Sequence, residues 1–189
     1  MKLIHTFVFL TFVLYSLVSA QDFREVNWGA TMSDVQASEE FTPVATEVEN
    51  ALSFTGKVNG KKVAAVYEFL PDDRLYSAGY VFEEDHTNRN RYIRDYEEIS
   101  AVLERVYGTP KTTNTIWSND LYRDSPQDYG MAVAVGHVQY QASWDTETTL
   151  IGHVLHGNDF QILHGVIYSS IELADEAQQH EQEVEDDAF

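Results

Sequence analysis

The sequence has no cysteine, four prolines and few positive charges: 12 Lys and Arg stand against 31 Asp and Glu in 189 residues, a formal charge of −19. Each shortage excludes something. Without cysteine there is no disulfide framework, no thiol nucleophile and no Cys-ligated zinc. The clustered Lys and Arg that a phosphate backbone requires are missing, so nucleic acid is excluded as a partner. Beyond the first twenty residues, no run is apolar and long enough to span a bilayer. The G-x-S-x-G elbow, S-x-x-K, H-E-x-x-H and a phosphate-cradling glycine loop are also absent, so neither a catalytic residue nor a cofactor is assigned. What the chain does have is apolar mass. Hydrophobic residues make up 43% and aromatics 13%, enough to bury a core against the self-repulsion of the charge.

The N-terminus reads as an address. Lys2 precedes an apolar stretch from Leu3 to Val18, and Val18-Ser19-Ala20 sets small residues before Gln21. This is the three-part pattern of a secretory signal peptide over residues 1–20, cut before Gln21. The expected location is exported, periplasmic or extracellular, in a bacterium. Eukaryotic secreted domains of this size usually carry disulfides, and this chain has none.

Residues 21–173 are expected to form one domain of two units, about 21–87 and 88–173. Thr31-Met32-Ser33-Asp34 opens a short helix to about Glu40 with a capping pair. Ala51 to Val58 and Lys61 to Leu70 flank Asn59-Gly60, a dipeptide suited to a two-residue hairpin turn. Pro71-Asp72-Asp73-Arg74 then turns the chain into Leu75 to Phe82. Asn88 to Tyr107 changes to helical period, with Tyr92, Tyr96, Ile99, Leu103 and Val106 on one stripe and Asp95 on another face. Gly108 and Pro110 stop it. Thr112 to Trp117 is a strand, and Ser118 to Tyr129 a polar loop. Gly130 to Trp144 alternates as one long strand, Thr148 to His156 is another, Gly157-Asn158-Asp159 turns, and Phe160 to Ile171 closes the series. The fold class is α+β: antiparallel meander sheet with helices on one face, in two successive helix-then-meander units. Residues 174–189 are read as an acidic mobile tail. Eight acids and no Lys or Arg lie between Glu172 and Phe189.

The stretches FREVNWGATMSDV, YEFLPDDRLYSAGYVF, the helix ending YGTP and the turn SWDTETT resemble an uncharacterised family of secreted bacterial proteins. Its members show a Trp-Gly helix opening and a Tyr-Gly-x-Pro helix end. The helix-then-meander order is more distantly similar to the outer-membrane assembly lipoproteins and the β-lactamase-inhibitor-like fold. Those lipoproteins carry an anchoring cysteine, and this chain lacks one. The resemblance implies an architecture and no catalytic residue.

Candidate chemistry rests on three residue sets. His156 and His164 flank a turn and would pair across strands in the right register, while His153 and His156, three apart, fall on opposite faces. Asp120, Asp124 and Asp128 share one loop with oxygen ligands suited to calcium, without the spacing of a calcium loop. Against metal binding at either set stand polar-face strand histidines and a solvated acidic loop. Trp28, Trp117 and Trp144 sit at element boundaries, where indoles either cover the core edge or present an aromatic face to a partner or glycan. The favoured function is an exported, soluble, non-catalytic binding or envelope-assembly module whose partner is a protein or envelope component. The alternatives are an exported hydrolase or metal-dependent enzyme using the His and carboxylates of the C-terminal meander, and an acidic protein that buffers cations through its tail. A deep pocket with a shifted His or carboxylate would favour the enzyme; a bare sheet face without such groups would favour binding.

Overall fold

A computed structural model describes residues 21–187; the expected signal peptide lies outside them. α1 (Met32–Ser38) begins as expected. Thr31 Oγ1 accepts from the Asp34 N–H at 3.2 Å, and Asp34 Oδ2 accepts from the Thr31 N–H at 3.0 Å. The first meander is β1 (Thr42–Val44), β2 (Ala51–Val58), β3 (Lys61–Phe69) and β4 (Leu75–Phe82). Asn59 and Gly60 hold φ of 50° and 78°, the left-handed pair that a tight hairpin demands. α2 (Asn90–Tyr107) crosses to the second meander: β5 (Thr112–Trp117), β6 (Val138–Asp145), β7 (Thr149–Asn158) and β8 (Gln161–Ser170), with α3 (Tyr129–Ala134) between β5 and β6. The strands form one antiparallel sheet in the order β1-β2-β3-β4-β8-β7-β6-β5. The two meanders therefore meet back to back along the β4–β8 seam.

One face of this sheet carries the core. Val63, Ala65, Tyr67, Ala78, Phe82, Ile151, Val166 and Tyr168 point to it and bury Val35 of α1 with Ile99 and Leu103 of α2. Ala132 and Val133 of α3 pack beside them on Tyr96, Val138 and Leu155. At the seam the strands approach closely. A Cβ on Gly79 would lie 2.5 Å from the Val166 carbonyl oxygen, so no larger residue fits without moving backbone.

Four sequence expectations need correction. Gly130 to Trp144 is not one strand: α3 occupies its first part, Gly136 turns with φ of 77°, and β6 begins at Val138. Ala132, Val133 and Ala134 are all buried, a pattern of neither strand nor amphipathic helix, and alternating small apolar residues imitated a strand. The last hairpin turns at Asp159 and Phe160, both with positive φ, and Gly157 belongs to β7. Gly157 is needed for packing, since a Cβ there would sit 2.5 Å from the Val133 carbonyl oxygen of α3. On α2, Tyr96, Ile99 and Leu103 are buried as the stripe predicts, but Val106 is exposed and Asp95 buried, the reverse of expectation at those two positions. Residues read as a mobile tail form α4 (Ala174–Asp187), where Leu173 and Ala177 bury against Leu70, beside Tyr76, and Glu176 pairs with Arg74.

Candidate functional site

Two places in this architecture gather chemistry, one inside the sheet and one outside it. The inner one lies under α2. Asp95 accepts from Lys61 Nζ at 2.5 Å and meets His86 Nε2 at 2.5 Å. Burial alone would raise the Asp95 carboxyl; Lys61 and His86 outweigh it and hold it below the usual carboxylate range. Nearby, His153 and His164 place their Nε2 atoms 3.0 Å apart, and Ser100 Oγ lies 3.0 Å from His153 Nδ1. Tyr96 stacks on His153 at 4.1 Å and Phe82 on His164 at 4.3 Å. Burial, then its neighbour His164, pulls His153 down to about 3. Burial also pulls His164 down to about 4, with Asp95 opposing and Lys61 assisting. Both imidazoles are neutral at ordinary pH, one donating to the other. A strong perturbation of this kind marks a functional site only where substrate can arrive. Here aromatic rings cover both faces of the pair, and none of the clefts described below is lined by it. The network reads as a polar core in which Asp95, His153 and His164 are all hydrogen-bonded.

The other His and Asp candidates do not converge. The register sets His164 opposite Leu155 and His156 opposite Leu163, so His164 faces the core and His156 the other side of the sheet. Asp120 bonds Arg123 within its loop at 2.7 Å, and Asp128 accepts from Gln127 at 3.2 Å. Among the described residues, no group of three or more His, Cys, Asp or Glu is placed to hold a metal ion. Two of the tryptophans are tied to distant parts of the chain. Trp28 Nε1 donates to Thr149 Oγ1 at 2.9 Å, and Trp144 Nε1 donates to the Gly108 carbonyl at 2.8 Å. Trp117, half-buried, packs edge-on against Tyr129 with Arg123 over its ring. A cleft of about 660 Å³ opens beside Asp22, Tyr107 and Thr146 to Thr149. The Asp22 oxygens there are already engaged by the Trp28 N–H and the Thr148 hydroxyl. A second cleft, about 550 Å³, lies along Pro43, Val44 and Leu52 at the β1 edge and contains no titratable side chain.

The outer place is the sheet's second face, which α1, α2 and α3 leave bare. Register defines its rows. Ser53, Val66, Gly79, Ile167, Gly152, Ser143 and Thr112 lie side by side from β2 to β5, and so do Thr55, Ala64, Val81, Gly165, Val154, Gln141 and Asn114. Neither row contains Asp, Glu, Lys or Arg, in a chain with 31 acids. Their centre is apolar. Val81, Leu150, Leu163 and Ile167 are exposed by 36, 45, 39 and 46%. Gly79 and Gly165 lie opposite Ile167 and Val81 along the seam, leaving a shallow groove of about 200 Å³ between those side chains. Charge enters only at the margins, as Lys57, Lys62, Glu68 and Asp145. Depletion of charge around an apolar centre is what distinguishes the middle of a protein interface from ordinary surface.

No protein-family profile matches this sequence, and no curated protein matches it. A solved structure resembles it. The crystal structure of a DUF4309 family protein (YjgB) from Bacillus subtilis subsp. subtilis str. 168 aligns over 80% of this chain and 86% of that one, with 15% identity and a TM-score of 0.41. A likeness at that level assigns neither a fold family nor an activity, so the functional reading rests on the geometry above.

Sequence reading missed this face, although the signal was present. A half-solvated antiparallel strand should alternate apolar with polar residues. Tyr80-Val81-Phe82 and Val166-Ile167-Tyr168 do not, because both faces of the seam are apolar.

Proposed function

We propose that the chain is an exported, non-catalytic binding module that docks a protein partner on the bare face of its sheet. The observation supporting this is the pair of uncharged rows, apolar at the seam, on a protein whose charge without its leader is −20, since Lys2 leaves with residues 1–20. Burying Ile167, Leu163 and Val81 in a partner yields about 1.5–3 kcal/mol for each side chain fully covered. That is enough to offset part of the cost of association. The acidic remainder of the surface steers encounter toward a basic partner, so the rate of association falls with added salt. The groups with large histidine shifts lie in the core, away from this face, which supports binding over hydrolysis. The test is a set of charge insertions on the face. Ile167→Lys and Val81→Lys should leave the melting temperature nearly unchanged, since both side chains are solvent-exposed, and should remove partner retention. Glu104→Lys, on the exposed side of α2, should not. Retention unaffected by both face variants would contradict the assignment.

A further inference from the structure

We infer that β5 is a self-association edge, at which a second copy of this chain pairs antiparallel about a two-fold axis. The proposal rests on the strand itself and not on the docking face. The sheet ends in two edges of unlike construction. β1 has three residues with Pro43 in the middle, and a short strand whose proline cannot donate is a blunted edge. β5 has six residues, Thr-Thr-Asn-Thr-Ile-Trp, with no proline, glycine or charge, and all but Trp117 are exposed. Such an edge is an open template for another strand.

Its hydrogen-bonding direction can be read. The Ser118 N–H donates to the His137 carbonyl at 2.9 Å, continuing the β5–β6 ladder. By alternation Thr112, Asn114 and Ile116 direct their N–H groups to β6, and Thr113, Thr115 and Trp117 direct theirs outward. A two-fold axis through Thr115 sets Thr115 against its own copy and Thr113 against Trp117, all of them outward-directed residues that exchange N–H···O bonds. Electrostatics permits a copy at this place. In a −19 chain, two molecules meet here without opposing carboxylates within the strand. The antiparallel order also brings the loop after Trp117, which holds Asp120 and Asp124, to the partner's Lys111 end. Lys111 is well exposed, although its Nζ is 2.5 Å from Asp145 of its own chain and would have to be shared with the partner's loop. A two-fold contact of this kind closes on itself, so it stops at a dimer.

Sedimentation velocity on the purified chain, across protein concentration at low salt and at about 0.5 M NaCl, tests this. The dimer fraction should rise with concentration and rise again with salt, because screening removes the general repulsion between two acidic bodies. Thr115→Pro deletes an outward N–H and no bond to β6, and should leave a monomer with an unchanged melting temperature. Thr115→Lys keeps the N–H but sets like charges face to face, and should weaken the dimer by at least about tenfold at low salt with partial recovery at high salt. Thr115→Val should dimerise as the parent does, and so should Ile167→Lys, which separates this edge from the docking face. A protein monomeric at every concentration, or a dimer that survives both Thr115→Pro and Thr115→Lys, overturns the inference.

Discussion

The buried histidine pair makes a quantitative prediction about acid. In the folded protein His153 and His164 become charged only near pH 3 and 4, because burial disfavours a charge at either ring and His164 adds to the effect at His153. In the unfolded chain both revert to about 6.5. The unfolded state therefore binds more protons than the native state as pH falls below 6.5, and stability falls with it. The contribution is fully present above 6.5 and is lost as pH approaches the folded values. At pH 4.5, two units below the unfolded value, the pair costs up to about 5 kcal/mol at 1.36 kcal/mol per unit. That is comparable to the whole stability of many domains, about 5–15 kcal/mol. Carboxylates held low in the fold, such as Glu39 and Asp95, act with the same sign in a lower window. Their stabilisation is present above the usual carboxylate value near 4 and is lost below it, so between 6.5 and 4.5 the histidines dominate. Urea unfolding at pH 7.5, 6.0 and 4.5 on the parent and on His153→Leu/His164→Leu isolates the effect. The double variant should lose most of the drop between pH 7.5 and 4.5, whatever its absolute stability. An identical drop in both proteins would refute the reasoning.

Other outcomes follow from packing. Gly79→Ala should lower stability by about 1–3 kcal/mol in a thermal melt, because its Cβ would meet the Val166 carbonyl at 2.5 Å across the seam. Leu103→Asp should unfold or severely destabilise the protein by burying an unpaired charge, while Glu104→Ala, one residue on and exposed, should shift the melt by less than about 0.5 kcal/mol. Removing residues 174–189 strips Ala177 from Leu70 and Tyr76, and should cost about 1–2 kcal/mol in chemical unfolding. A tail that only solubilises would leave that value unchanged and raise precipitation instead.

Much of the architecture was written in local signals. The Thr31–Asp34 capping pair, the Asn59-Gly60 turn and the Gly108 stop each act within a few residues, and each is where the sequence places it. What failed to show depends on contacts far apart in the chain. Asp95 looked like a solvent residue of α2 because its partners, Lys61 and His86, come from β3 and the loop before the helix. The His153–His164 contact depends on a register set by a turn at Asp159 and Phe160, the second of which has no usual claim to positive φ. The bare face emerges only when β4 and β8, whose paired residues run from Ser77 with Ser169 to Val81 with Gly165, are known to be neighbours.

Site-directed photo-crosslinking on the sheet face tests the binding account most directly. With a photo-reactive residue at position 167 and, as a comparison, at position 104 on α2, the protein is irradiated in its own host. The account predicts a discrete adduct with a basic protein from position 167, lost when Val81→Lys is added, and none from 104. Adducts from 104 alone, or a 167 adduct indifferent to Val81→Lys, would contradict it.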